Sequence, residues 1–209
     1  MKKVILVVMI LGIGLFFSAC EKPKETLETT QKQEILDNLG ILMNNGEKLI
    51  VNQKNTQDKT QNFKNIEPKK VNVLRDLLVT TNKKNIKMLF FFTTWCEPCI
   101  AILAHLENLQ KQFGEEISIY GIAIDDLVGE VENLQQSIEV FIQENQYSLP
   151  LAYGENRDKL FEALEGIEGI PLIVLYDEKG EYIIHYLGAI PEEMMEFDLS
   201  QSVAKMRAK

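Results

Sequence analysis

Cysteine, histidine and tryptophan are all scarce in this chain of 209 residues: three, two and one. Three cysteines cannot staple a small secreted scaffold, and a chain of this length can bury a core without staples. Two lie three apart, at 96 and 99. His105 and His185 share no ligand spacing with them, so the pair lacks the two further ligands a zinc site needs and no metal is expected. Basic residues are outnumbered, 22 against 31 acidic, for a formal charge of -9. A surface of that sign repels phosphate backbones, which excludes nucleic acid as an expected partner. There is no internal repeat. No apolar run reaches the roughly 20 residues that span a bilayer. What is present, 45% apolar and 25% charged residues, suits one globular domain plus extra segments.

The longest apolar run, Val4 to Phe17, follows Met1-Lys2-Lys3 and precedes Ser18-Ala19-Cys20. That order of basic start, short apolar core and small residues is a signal peptide. Phe17-Ser18-Ala19-Cys20 resembles a lipobox, departing from it at Phe17. The resemblance implies cleavage before Cys20 and lipid on its sulfur. Ordinary cleavage after Ala19 and an uncleaved anchor are the competing readings. Residues 1–19 are therefore read as a lipoprotein-type signal peptide. Residues 20–62 are read as a tether and N-terminal extension, and 63–209 as the main domain.

Glu21 to Glu34 is too polar to bury a core. Ile35, Leu36, Leu39, Leu42 and Met43 recur at helical spacing, weakened by Gly40 and Gly46. Residues 52–65 read as a polar loop, and Val71 to Val79 as a strand followed by a helix. Met88 to Phe92 is continuously apolar, as in a strand covered on both faces. Ile100 to Phe113 has helical period and ends at Gly114. Ile117 to Ile124 is a strand closed by Asp125-Asp126. Helices follow at 131–145 and around 160–164. Pro171–Tyr176 and Tyr182–Leu187 flank the turn Asp177–Gly180 as a hairpin, and 192–206 is a closing helix. Strands alternating with helices, then a hairpin, predict an α/β domain with a mixed sheet.

Trp95-Cys96-Glu97-Pro98-Cys99 lies between the apolar strand and the helix that follows. A helix N-terminus favours a thiolate at Cys96. Cys99 sits one turn on, close enough for a disulfide, and Pro98 is tolerated where no N–H is needed. Cys96, exposed at the strand end, is the expected nucleophile, and Cys99, deeper in the first turn, resolves the mixed disulfide. Glu97 either opposes the thiolate and makes the pair more reducing or simply faces solvent.

The Trp-Cys-x-Pro-Cys motif resembles that of the thioredoxin fold, and Gly169-Ile170-Pro171 ahead of a hairpin resembles its cis-proline loop. The helix inserted after strand 117–124, with Ser148-Leu149-Pro150, resembles the TlpA/ResA branch of membrane-tethered extracytoplasmic thiol-disulfide oxidoreductases. The resemblance covers about 63–209. It implies a thioredoxin-like fold with an inserted helix after the strand that follows the active-site helix, and no cofactor. Trp95, Glu97, Pro98, Ile170 and Pro171 would contact substrate. Partners would be disulfide- or thiol-bearing proteins, with apocytochrome c as one substrate class. A membrane electron donor would re-reduce the pair, and Cys20 would hold the lipid membrane on the periplasmic side.

Three positions depart from the resemblance: Phe90 stands where thioredoxins carry a buried aspartate and this branch often an asparagine, Ile102 where ResA-like reductases often place a glutamate, and Gly121 where its partner lysine aligns, so the usual buried proton carriers are missing. Other readings are a DsbA-type oxidant, which favours histidine where Glu97 stands, and a non-enzymatic lipoprotein of this fold. A peroxide reductase is the remaining one. Thr93 suits it, but Leu89, Trp95 and Cys99 do not.

Overall fold

The computed structural model describes residues 38–54, 69–164 and 166–209. The signal peptide, Cys20 and most of the tether lie outside the described residues.

The centre is β4 (Ile86–Phe92), whose seven residues are all buried. Its unbroken apolar character follows from having covered faces on both sides. Parallel β5 (Ile117–Ala123) pairs with one edge and antiparallel β7 (Leu172–Tyr176) with the other. Short β6 (Leu151–Ala152) and β8 (Tyr182–Leu187) complete a five-stranded sheet in the order β6-β5-β4-β7-β8. Lys87 is the exception within β4. Its Nζ donates to the carbonyls of Asp177 and Glu178 at 3.3 and 3.2 Å. Burial pushes its pKa down.

Alternate β4 side chains feed two cores, as strand geometry requires. Met88, Phe90 and Phe92 meet α3 (Leu103–Phe113), α5 (Leu134–Asn145) and α7 (Glu192–Arg207) through Leu106, Phe141 and Leu199. Leu89 and Phe91 face the other way, with α1 (Lys69–Asp76), α6 (Arg157–Ala163) and a small antiparallel sheet. That sheet is β1 (Leu39–Leu42), β2 (Lys48–Gln53) and β3 (Leu77–Thr80). Short helices α2 (Glu97–Ala101) and α4 (Asp125–Val128) follow β4 and β5.

Two expectations are corrected here. Residues 39–43 are strand and turn, not helix: Leu39, Ile41 and Met43 are buried at period two, while Leu42 is exposed. Gly46, at φ +85°, makes the turn of this hairpin, closed by its N–H on the Met43 carbonyl at 3.0 Å. Around 71–79 the order is reversed, helix first and strand second, because Val79 must lie against the Asp177–Gly180 turn. Its N–H reaches the Gly180 carbonyl at 2.9 Å.

The fold itself is as expected, an α/β thioredoxin-like arrangement with the mixed sheet and the inserted helix, α5.

Candidate active site

β4 ends at Phe92, and Thr93-Thr94-Trp95 turns the chain into Cys96, the N-cap of α2. The Cys96 N–H donates to the Thr93 carbonyl at 3.2 Å, which closes the turn. The Cys99 N–H donates to the Cys96 carbonyl at 2.9 Å and to its Sγ at 3.2 Å. Free N–H groups at a helix start are what a negative sulfur needs. Pro98, in the first turn, gives up an N–H that α2 has no use for. The two cysteines are bonded as a disulfide, Cα atoms 5.2 Å apart.

Cys96 is less open than expected. Only 5% of it is exposed, against none of Cys99, because both cysteines belong to the buried cluster that also holds Ile102 and Leu103. Trp95 is 60% exposed, and Glu97 and Pro98 are exposed too, so these three form the surface beside the sulfurs.

The proline loop comes to the same end of the sheet. β7 runs antiparallel to β4 with Leu172 opposite Phe91. Pro171 therefore lies just where β4 hands over to the dithiol turn. The Ile170–Pro171 bond is cis. Ile170 packs against the cluster that contains Cys96 and Cys99, and the Pro171 carbonyl accepts the Gly188 N–H at 2.8 Å.

The three departing positions are filled by packing. Phe90 stacks on Phe92 with ring centroids 4.9 Å apart, Ile102 is buried, and Tyr147 crowds Gly121. The acidic residue beside the site is one the sequence reading took only as a strand ending. Asp125 is wholly buried, and its Oδ1 accepts the Thr94 N–H at 2.8 Å and hydroxyl at 2.5 Å. Its neighbour Asp126 pairs with both terminal nitrogens of Arg157 at 2.8 and 2.7 Å. Burial works to raise the Asp126 pKa, and the Arg157 pairing outweighs it, holding the carboxyl below its usual range. The doubled aspartate at a strand end was the one available signal.

The histidines lie elsewhere: His105 pairs with Glu192, and His185 Nδ1 meets the Tyr182 hydroxyl at 2.7 Å. Among the described residues, no group of three His, Cys, Asp or Glu side chains could hold a metal ion. Nor is any described helix long and apolar enough to cross a membrane.

Residues 75–201 match the thioredoxin-like domain family. Thioredoxin-like protein YneN of Bacillus subtilis is 22% identical over 109 residues, 52% of this chain. The chain spans 60% of that relative's length. Among solved structures, a thiol-disulfide isomerase from Corynebacterium glutamicum matches at TM-score 0.50 and 18% identity, over 68% of this chain and 91% of its own. StoA from Bacillus subtilis matches at TM-score 0.48 and 24% identity, over 58% and 87%. Likeness at these identities is one of fold. The family match takes in the dithiol turn and the cis-proline loop together, and the chain belongs to the thioredoxin-like family, with the Cys96–Cys99 disulfide at the head of α2.

Proposed function

We propose that the protein is a thiol-disulfide oxidoreductase of the TlpA/ResA kind that works outside the cytoplasm as a reductant of protein disulfides. The reductant direction rests on Glu97, whose charge disfavours a thiolate beside it, and one observation carries the thiol-disulfide chemistry itself: Cys96 caps a helix and its sulfur receives the Cys99 N–H at 3.2 Å. A thiolate there is stabilised by unpaired N–H groups and the helix dipole.

In the forward direction the Cys96 thiolate attacks one sulfur of a substrate disulfide. A mixed disulfide forms, and the other substrate sulfur leaves as a thiolate that takes a proton. Cys99, as thiolate, then attacks Cys96 Sγ and expels the second substrate sulfur. Two electrons have moved to substrate, and Cys96–Cys99 is left oxidised. Trp95, Glu97 and Pro98 on one side and Ile170-Pro171 on the other would hold an extended partner. A membrane electron donor would return the pair to the dithiol. Cys20 would carry lipid and keep the domain at the extracytoplasmic membrane face, with apocytochrome c disulfides among its substrates.

Equilibration with glutathione tests the direction. A potential near thioredoxin's, about -270 mV, is expected, and one near DsbA's, about -120 mV, would make the protein an oxidant. For the anchor, wild type should take up radiolabelled fatty acid and Cys20→Ala should not. Wild type recovered only in the soluble fraction would refute that part.

A further inference from the structure

The last paired residues of the two central parallel strands are Phe92 and Ala123, and both chains run on in step. The Ile124 N–H donates to the Phe92 carbonyl at 2.9 Å, and Asp125 follows. None of its surface is exposed. Oδ1 takes both Thr94 donors. Among the described residues, buried Oδ2 has no hydrogen-bond partner, and neither has Thr93 Oγ1. A buried carboxylate oxygen without a donor is costly, so packing alone does not favour an aspartate here. Thr94 leads through Trp95 to Cys96, and the Thr93 carbonyl takes the Cys96 N–H. The carboxylate thus grips the turn that ends at the nucleophile.

We infer that Asp125 is a positioning residue for Cys96, and that its buried negative charge biases the dithiol pair toward giving up electrons. The inference rests on the reading of Cys96–Cys99 as a working redox pair. A disulfide carries no charge, whereas the reduced pair carries a thiolate. A nearby anion in a poorly hydrated interior therefore disfavours the reduced form. Arg157, bonded to the end of the same strand through the Ala123 carbonyl, does not cancel it. Arg157 is committed to Asp126 and to the Gly154 carbonyl. Among the described residues, the charged groups on α2 and in the groove that Thr94 and Ile100 line have the same sign: Glu97, Glu132 and Glu144.

The experiment is equilibration of the full chain with glutathione buffers for wild type, Asp125→Asn and Thr94→Val, with melting temperatures alongside. Asp125→Asn keeps an acceptor for Thr94 and removes the charge. It should shift the equilibrium about tenfold toward the dithiol, ~30 mV more oxidising. Thr94→Val removes one donor and leaves the charge less compensated, so it should shift about threefold toward the disulfide. A merely structural clamp would lower both melting temperatures without opposite shifts in potential. Both variants within twofold of wild type, or both moving the same way, would overturn the inference. If Asp125→Asn does not fold, Thr94→Val decides alone: a shift toward the disulfide supports the inference and no shift overturns it. Wild type that does not equilibrate with glutathione refutes the redox reading and this inference with it. Flat variants of a wild type that does equilibrate refute this inference alone.

Discussion

The Tyr147 hydroxyl occupies the space that a side chain at position 121 would need. A Cβ built on Gly121 would collide with Tyr147 Oη and sit 3.1 Å from Leu151 Cδ1 and 3.2 Å from Phe92 Cε1. The hydroxyl is buried and finds no hydrogen-bond partner among the described residues. Burial, with the Glu107 carboxylate adding to it, pushes its ionisation upward. A lysine on β5, as the wider family often carries, has no room beside this ring.

Gly121→Ala should therefore destabilise the protein by about 1–3 kcal/mol through overpacking. Tyr147→Phe removes an unpartnered buried hydroxyl and should be neutral or stabilising by about 1 kcal/mol. In the double variant Tyr147→Phe should recover much of the alanine's cost, since the two residues touch. Urea unfolding of the four proteins measures this, and strictly additive effects would contradict the collision.

Cys96→Ser should abolish insulin reduction. Cys99→Ser should instead accumulate a mixed disulfide between Cys96 and its substrate, because the resolving thiol is gone. Non-reducing gels with mass spectrometry read both. Normal turnover by Cys99→Ser would reverse the assigned roles.

Trp95 lies largely in solvent, so its removal should cost little stability. Trp95→Ala should keep its melting temperature within a few degrees while kcat/KM for insulin reduction falls about tenfold, roughly 1.4 kcal/mol of transition-state binding. Unchanged kinetics would take Trp95 out of the substrate surface.

Asp126 contributes a pH dependence whose sign follows from its lowered pKa. A carboxyl held below its unfolded value, about 3.9, stabilises the fold above that pH. Its contribution is lost as pH falls through the folded value. Wild type should lose urea resistance below about pH 4, and Asp126→Asn should lose less over the same interval. Arg157→Met should cost about 2 kcal/mol at pH 7, since it also abandons the Gly154 carbonyl. Parallel acid profiles for wild type and Asp126→Asn would remove this pair from the pH response.

The residues alone determined the central strand, the dithiol turn and the hairpin, because each rests on local chemistry. A continuous apolar run, a proline in a first turn and Gly180 at φ +88° mean the same thing wherever the chain goes. The N-terminal hairpin was hidden because Leu39, Ile41 and Met43 alternate too briefly to outweigh a chance helical spacing that included Leu42. The resemblance of Gly169-Ile170-Pro171 to a cis-proline loop already brought Pro171 to the dithiol, whereas only the tertiary structure decided that Asp125 grips Thr94 from 31 residues away and that Tyr147 fills the place beside Gly121. It also decided that Cys96 is sheltered. Each of these depends on which strand lies beside which and on which face a side chain takes. Both are set by burying two cores against one sheet at once, and no local pattern encodes that.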